Sequence, residues 1–404
     1  MITENEIHKL LNEFDYDIRK SGNARWIDQK CTPDVVSIIA DCILDYVEKV
    51  GIGAKFNSTD IWHNNYTEQN VKEIFNKPST NSILSRNEYD KFFSQPLEML
   101  AYSGILNKNR VSNRNYYTIN NYELLEYISI KERFALNFII LYCEKVLSDS
   151  GIWEEFSTFF YEQSSLAYNR LKTNFVKFTI DNTPINGATE VRRIFTKVLN
   201  PLAYKFRKKG TNRGYISKYP ITYSDLMYNR ENFRDINKEK PKGVTRREWN
   251  NMNKTVINFS YYKYQSTKAK KFLKKYNLLK RQGTSEVNDE YSNGDATQIH
   301  HIFPESEFPE ISMYFENLIA LTPTQHLTLA HPGNNTNIIS KDYQEILLKA
   351  KAGIIHEDMI REEDSIYSFD NLVEVLEVGF DKEIFIENVD YTSIMKLISN
   401  LYSN

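Results

Sequence analysis

The chain has 404 residues, 41% of them hydrophobic and 26% charged, and a formal net charge of −2. This length supports two or three domains and a core large enough to fold without a metal or disulfides. The sequence has no run of about 18 apolar residues and begins with an acidic, mixed segment, so neither a membrane span nor a secretory signal is expected. Its three scattered cysteines form no Cys-x-x-Cys pair, which favours a reduced, cytoplasmic setting.

The near-neutral net charge hides a separation of charge along the chain. Residues 201–285 contain 22 Lys/Arg and 5 Asp/Glu, whereas residues 341–404 contain 6 Lys/Arg and 14 Asp/Glu. Aromatic residues, among them Tyr215 and Tyr219, lie between the bases of the first segment. A concentrated basic segment in an acidic protein is typical of proteins that bind a polyanion, and aromatic rings can stack on bases. The alternative is a solvated, lysine-rich helical face on which the aliphatic parts of the lysine side chains cover the aromatic rings.

Residues 1–130 carry the pattern of helices followed by a basic hairpin. Apolar periodicity predicts a buried helix over 35–50, capped by Asp34, and further helices over 67–77 and 87–102. The pieces ILN and YYTI then predict two short strands on either side of the polar turn KNRVSNRN. Together these elements predict a winged helix, with an unrelated helical domain as the alternative. The wing would carry three bases toward a phosphate backbone: Lys108, Arg110 and Arg114.

Residues 131–285 are predicted to form a helical, basic DNA-binding region. Apolar periodicity predicts three helices before residue 209, after which the chain enters a loop rich in glycine and bases. Glycine allows the backbone to approach a phosphate closely, and Lys or Arg supplies charge. The predicted contacts of this region are Arg207, Lys208, Lys209, Arg213, Arg246 and Arg247. The acidic helices predicted over 341–404 favour a packing or dimerising tail.

Histidines cluster in the region 286–340. Four of the seven histidines of the chain fall within 32 residues: His300, His301, His326 and His331. The runs ATQIHHIF and NLIAL predict two strands, and Thr322 or Thr324 can cap a short helix that ends before Pro332. This order predicts a ββα unit with histidines on the first strand and on the helix.

Two adjacent histidines on one strand are expected to take different roles, because their side chains point to opposite sides of the sheet. Hydrolysis of a phosphodiester requires a base that takes a proton from water and a cation that holds the developing negative charge. An imidazole titrates at about pH 6.5, so either His300 or His301 can serve as the base.

The segment resembles the HNH, or ββα-metal, nucleases. It contains HHIFP at 300–304, NL at 317–318 and a histidine nine residues after that asparagine. The resemblance covers about 40 of the 404 residues. It implies that His301 is the general base and that Asn317 orients the loop that presents it. It also implies that His300 and His326 bind the metal.

A further metal ligand is found in some members of the family, four residues after the helical histidine. In this chain His331 follows His326 by five residues. On an ideal α-helix five residues give a net rotation of roughly 140°, compared with roughly 40° for four. His331 is counted among the expected ligands because Pro332 could let the last turn unwind.

The wider architecture looks like a type II restriction endonuclease. The resemblance implies a mainly α protein with small β elements (α+β): a helical N-terminal region with a winged helix, a ββα-metal HNH module over 286–340, and a helical C-terminal tail. The implied function is sequence-specific cleavage of double-stranded DNA by a homodimer in the bacterial cytoplasm. Mg²⁺ is the first metal expected, with Mn²⁺, Zn²⁺ or Ni²⁺ as alternatives.

Other functions remain compatible with the same residues. The alternatives are an HNH nickase or toxin-type nuclease, and a non-enzymatic DNA-binding protein with a metal-stabilised module. The histidines could also form a structural zinc site, although such sites normally use cysteines. A chance cluster and a decayed nuclease are the remaining alternatives.

A rival site is suggested by acidic residues near the N-terminus. Asp17 and the run Asp28-Gln29-Lys30 could mimic the acid pair and lysine of the other large restriction-nuclease fold. Trp26-Ile27 supplies only a very short strand before Thr32-Pro33 turns the chain. The alternative is a surface cluster of salt bridges.

Overall fold

The computed structural model describes residues 2–75, 86–228, 259–331, 340–361, 365–384 and 389–403. These residues are mainly helical with three two-stranded antiparallel sheets, as expected for a mainly α protein with small β elements. The chain divides into two compact units, Met1–Asn232 and Phe233–Asn404, and the predicted region 131–285 spans that division. None of the described helices combines the length and the apolar character that a membrane span requires.

The first unit consists of helices and two hairpins. Its described helices are α1 (Glu4–Asn12), α2 (Ile18–Ser21), α3 (Pro33–Val50), α4 (Ser58–Trp62), α5 (Asn65–Phe75), α6 (Arg86–Tyr102), α7 (Tyr122–Ile130), α8 (Glu132–Asp149), α9 (Trp153–Glu162), α10 (Ser165–Asn182) and α11 (Ala188–Lys205). The hairpins pair β1 (Leu106–Val111) with β2 (Arg114–Ile119), and β3 (Lys209–Asn212) with β4 (Tyr215–Pro220). The core lies where α3 packs on α7 and α8, and where α11 packs on α8 and α10.

Helix α3 is the buried helix predicted for residues 35–50. It begins at Pro33 and not after Asp34, because proline presets the backbone dihedral of a first helical residue and needs no hydrogen bond from its nitrogen. Asp34 is therefore not the cap; its carboxylate instead accepts a hydrogen bond from the backbone N–H of Tyr228 at 2.9 Å. The helix ends at Gly51, as the sequence predicted.

The hairpin β1–β2 is longer than the two predicted strands. Its pairs run from Leu106 opposite Ile119 to Val111 opposite Arg114, so the pairing extends into the basic turn. Antiparallel strands pair through their backbones, so an exposed ribbon can extend without apolar side chains. Leu106 is the one buried residue of β1, and the rest of the strand therefore carries no alternating apolar signal. Three helices followed by this hairpin have the order expected of a winged helix, which stays a prediction.

The second unit is built around two short strands and a short helix. Its described elements are α12 (Phe259–Arg281), β5 (Gln298–His301), β6 (Leu318–Leu321), a π-helix (Gln325–Ala330), α13 (Lys341–Arg361), α14 (Phe369–Phe380) and α15 (Tyr391–Tyr402). Strands β5 and β6 pair with His301 opposite Leu318 and His300 opposite Ile319. Helix α12 packs on both strands. The predicted order of strand, loop, strand and helix is therefore present, and the helix is of the π type.

The acidic tail packs onto its own unit. Helix α15 packs against α13 and α14. Apolar residues that the sequence offered as a dimer surface are buried within the chain: Leu372, Val375, Leu376, Ile394 and Ile398. Lys351 of α13 is also buried, and its ammonium donates to the Glu286 carboxylate at 2.9 Å. A homodimer stays a prediction, and it would need a surface other than these apolar faces.

Candidate metal centre and its surroundings

Three histidines converge in the second unit, and they are called the histidine cluster below. His300 lies in β5, His326 lies in the π-helix and His331 follows that helix directly. The ring centroids are 5.2 Å apart for His300 and His326, 5.0 Å for His300 and His331, and 4.8 Å for His326 and His331. One ring nitrogen of each histidine lies within 4.8 Å of the other two. Three imidazoles at these separations can hold a single divalent ion.

The π-helix brings His331 into this cluster. Its hydrogen bonds join residues five apart, so His326 and His331 come to the same face, which an α-helix would not allow. Single π-helical turns are rare and occur often at functional sites. Of the two threonines predicted as caps, Thr322 accepts a hydrogen bond from the backbone N–H of Gln325 at 3.2 Å. The helix thus begins in the predicted place, but its hydrogen bonds join residues five apart and not four apart.

Two nitrogens of the histidine cluster have unused hydrogen-bonding capacity. Within the described residues, His300 Nε2 and His326 Nδ1 are buried and make no hydrogen bond. Burial, together with repulsion from His326 and His331, holds the pKa of His300 well below its usual value. Burial also lowers the pKa of His326. Neutral imidazoles are the form that binds a metal, and an unpaired buried polar atom costs about 1–3 kcal/mol. The cluster therefore fits a divalent ion.

The neighbouring histidine, His301, is held by its Nε2 atom. That nitrogen lies 3.1 Å from the backbone carbonyl oxygen of Ser312 and 3.1 Å from Ser266 Oγ. A carbonyl oxygen can only accept, so this bond places the ring hydrogen on Nε2 and leaves the lone pair on Nδ1. Burial, with the charge of Lys270, lowers the pKa of His301 to about 3, so the ring is neutral at pH 7. A neutral ring with its Nδ1 lone pair available can accept a proton.

Asn317 fixes the loop that follows His301. Its Oδ1 accepts from the backbone N–H of Phe303 at 2.8 Å, and its Nδ2 donates to the carbonyl oxygen of Phe303 at 3.1 Å. The same Nδ2 donates to the carbonyl of Ile311 at 3.2 Å. The side chain is fully buried and spans both ends of the loop. It therefore holds the loop that contains Ser312, which in turn contacts the His301 ring.

Helix α12 contributes residues that the sequence motif did not include. Ser266 Oγ, beside His301 Nε2, donates to Glu305 at 3.3 Å. Lys270 follows one turn later on the same face of α12, and after burial its charge further lowers the pKa of His301. Burial lowers the pKa of Lys270 itself, which Glu305 opposes. No sequence signal singles out this lysine in a helix rich in lysines, because its position beside the histidines depends on how α12 packs on the strands.

The predicted wing carries less free charge than its sequence suggests. Lys108 is ion-paired with Glu98, with 2.6 Å between Nζ and Oε2. Arg110 and Arg114 lie exposed on the two strands of the hairpin. The pairing partner of Lys108 is ten residues away on α6, so only the packing of the hairpin on that helix reveals it.

The basic loop predicted after α11 is the hairpin β3–β4. Four of the predicted DNA contacts lie along it: Arg207 and Lys208 before β3, Lys209 in β3, and Arg213 in the turn. The other two predicted contacts, Arg246 and Arg247, lie outside the described residues. Glycine and bases occur here as predicted, on a paired ribbon and not on an irregular loop.

The rival site near the N-terminus uses its charges in local contacts. Asp17 accepts from the Arg19 backbone N–H and pairs with the Arg19 guanidinium at 2.8 Å. Asp28 is fully buried and ion-paired with Arg25. The Lys30 ammonium donates to the hydroxyl of Tyr228 at 2.8 Å. The contacts of the two aspartates are salt bridges and a helix cap, which favours the alternative of a salt-bridge cluster over a second catalytic site. The short strand expected at Trp26-Ile27 is not formed.

No protein-family model, no curated protein and no solved structure matches this chain.

Proposed function

We propose that this protein is a metal-dependent DNA endonuclease whose chemical site is the ββα element within residues 286–340. The observation that supports this most is that the histidine cluster and the separately held His301 lie next to each other at β5. His300 Nε2 and His326 Nδ1 are unpaired, and the three histidines of the cluster lie close enough to hold one ion. The adjacent His301 is oriented separately through its Nε2 atom. A cation next to an independent base is the arrangement that phosphodiester hydrolysis needs.

Each residue of the site has a distinct role in the proposed reaction. His300, His326 and His331 would hold the ion, which when bound stabilises negative charge on the phosphate and on the leaving oxygen. His301 takes the proton of the attacking water at Nδ1, because its Nε2 hydrogen is engaged by Ser312. Asn317 and Ser266 keep the ring in that orientation. Lys270 adds positive charge beside the site, which favours an anionic substrate.

The ligand set bears on the identity of the metal. The sequence led us to expect Mg²⁺, which prefers oxygen ligands and keeps several waters. Three imidazoles without a carboxylate among the described ligands suit Zn²⁺ or Ni²⁺ better. We therefore propose a transition metal as the resident ion, with Mg²⁺ as the alternative to be compared directly.

Double-stranded DNA is proposed as the substrate because of the basic segment over 201–285. Its 22 Lys/Arg against 5 Asp/Glu would neutralise phosphates, and affinity should then fall steeply with salt. The cleavage of both strands would follow from two copies of one site, each cutting one strand. This is the basis for proposing a homodimer on a two-fold symmetric DNA site. Light scattering with and without DNA tests that assembly.

The function is tested by incubating the purified protein with unmethylated phage DNA in Zn²⁺, Ni²⁺, Mn²⁺ or Mg²⁺. Discrete fragments would support a sequence-specific restriction endonuclease. A smear would favour the nickase or toxin-type alternative. The variant His301→Ala serves as the inactive comparison, and His8→Ala, which removes an exposed histidine of the first unit, is the matched control.

A DNA-binding protein with a structural metal is the second candidate, favoured by the burial of His300 and His331. Structural zinc sites are normally closed by four ligands and use cysteines. The described residues offer three histidines here, which leaves one position open, as in catalytic sites. A gel shift without cleavage under every metal would establish this candidate in place of the nuclease.

A further inference from the structure

Buried hydrogen bonds hold strand β3 of the hairpin β3–β4 at Thr211. Asn200 of α11 accepts from the backbone N–H of Thr211 at 2.8 Å and donates to its carbonyl oxygen at 3.0 Å. The hydroxyl of Tyr168 lies 2.6 Å from Thr211 Oγ1. Gly210 fits so tightly that an added Cβ would lie 2.5 Å from Asn200 Oδ1. The position of the hairpin relative to α10 and α11 is therefore fixed, which is a requirement for a rigid recognition element.

The turn of this hairpin places an arginine in a backbone conformation that it does not favour. Arg213 and Gly214 connect Asn212 to Tyr215, and their φ angles are 50° and 85°. Such two-residue turns prefer asparagine, aspartate or glycine at both positions, because other side chains are strained at positive φ. Lys172 donates to the carbonyl oxygen of Gly214 at 2.8 Å and so supports the turn. An arginine held in a strained conformation at an exposed tip favours a function for its guanidinium.

Two large aromatic side chains of β4 are exposed to solvent. Tyr215 is 76% exposed and Tyr219 is 66% exposed. The ammonium of Lys218 lies 5.2 Å from the centre of the Tyr219 ring, so cation and ring form one surface. Tyrosine presents a large contact area at a low cost in conformational entropy, which makes such residues useful at a binding surface.

The charges of the hairpin are not neutralised by the rest of the described chain. Within the described residues, Arg207, Arg213 and Lys218 make no ion pair. In contrast, nearby Lys205 is paired with Glu144 at 2.8 Å. A surface that combines unpaired cations with exposed tyrosines complements a polyanion that also presents apolar and hydrogen-bonding groups.

We infer that the hairpin β3–β4 is a DNA-reading ribbon that enters the major groove of double-stranded DNA and contacts base edges through Arg213, Tyr215 and Tyr219. The inference rests on the proposed function for the nature of the partner, but it does not depend on cleavage. The major groove is about 12 Å wide and admits a two-stranded ribbon. An arginine can donate two hydrogen bonds to guanine, and an apolar ring surface can contact a thymine methyl group. The flanking Arg207 and Lys218 then contact phosphates.

The test separates sequence reading from phosphate contact and from catalysis. The full-length His301→Ala protein is used to select bound sequences from a pool of random DNA duplexes. The double variant Tyr215→Ser with Tyr219→Ser is compared in the same background, as is Arg213→Gln. Tyr161→Ser is the matched control, because Tyr161 is 89% exposed on α9 and is not part of the hairpin. Thermal unfolding of each variant verifies that it folds.

The parent protein should select a motif, and the hairpin variants should lose preference at a few adjacent positions of it. Their affinity for the selected duplex should fall by at least about tenfold, as expected for lost base contacts, while the Tyr161 variant matches the parent. An unchanged motif, an equal loss of affinity for all sequences, no motif in the parent, or tighter binding of single strands would each overturn the inference. If the parent selects a motif through the hairpin but the wild type never cleaves, the proposed nuclease fails and the inference stands.

Discussion

The imidazoles of His326 and His331 are five residues apart in the chain and 4.8 Å apart between ring centroids. This proximity exists because the residues between them form a π-helix, whose repeat returns to the same face after five residues. The proposed ion binding by the cluster therefore depends on a local backbone geometry as well as on the three side chains.

Metal binding should require all three histidines of the cluster. Loss of a residue that only hydrogen-bonds to a metal ligand typically weakens metal binding by roughly 10–100-fold. His331→Ala removes a proposed ligand itself, so we expect it to weaken Zn²⁺ binding by more than that. Calorimetric titration with Zn²⁺ and elemental analysis of the purified protein measure this. The exposed His8→Ala provides the control. Equal affinity in both variants would mean that His300 and His326 bind the ion without His331.

Removal of the proposed general base should affect the chemical step alone. His301→Ala is expected to reduce the cleavage rate by about 10²–10⁴-fold, because a positioned base contributes that much. Its Zn²⁺ content and its affinity for DNA should match those of the wild type. Single-turnover cleavage and fluorescence anisotropy measure the two quantities. Cleavage at the wild-type rate would assign the proton transfer to another group.

The charge of Lys270 should have opposite effects on metal binding and on cleavage. Lys270→Ala removes a cation beside the histidines, so Zn²⁺ binding should tighten, while cleavage should slow by about 10²-fold through lost stabilisation of the phosphate. Lys270→Arg should retain part of the rate. Chelator competition and single-turnover cleavage measure these effects. Lys274→Ala, an exposed position on the same helix, is the control, and parallel behaviour of the two alanine variants would contradict the role of Lys270.

The bonds of Asn317 should stabilise the unit that contains the site. Asn317→Ala leaves three backbone groups without this partner. The free energy of unfolding should fall by about 3 kcal/mol or more, since each buried unpaired group costs about 1–3 kcal/mol. Urea unfolding measures this loss. Asn277→Ala removes one such bond, to the carbonyl of Thr284, and should cost less. A smaller loss for Asn317→Ala than for the control would show that the loop does not depend on it.

Removal of one partner of the buried ion pair between Lys351 and Glu286 should lower the free energy of unfolding. Both side chains are almost fully buried. Lys351→Met leaves an uncompensated carboxylate and should lower the free energy of unfolding by about 3–5 kcal/mol. The double variant Glu286→Gln with Lys351→Met should be more stable than Lys351→Met, because neither residue of the pair then buries a charge. A double variant that is less stable than the single one would contradict this account.

Local patterns in the sequence predicted much of the secondary structure. The apolar pattern after Pro33 predicted α3, and the apolar runs around His300 and Leu318 predicted the strands of the second unit. Strand β6 is buried at every position, so its signal is a continuous apolar run. The same patterns predicted the basic hairpin after α6 only in part and predicted a loop in place of the hairpin after α11. An exposed ribbon leaves no apolar signature on its outer strand. The proposed roles of His301 and the histidine cluster stay predictions.

The sequence by itself determined that four histidines lie on neighbouring short elements, because strands and helix caps are encoded over a few adjacent residues. Only the tertiary structure decided which of them meet. The π-helical repeat brings His331 to His326, and the packing of α12 on β5 and β6 places Ser266 beside His301. The pairing of Lys108 with Glu98 likewise arises from packing between elements. The contacts of Ser266 and Lys108 depend on how helices and strands pack on each other, and residue spacing within one segment carries no information about that.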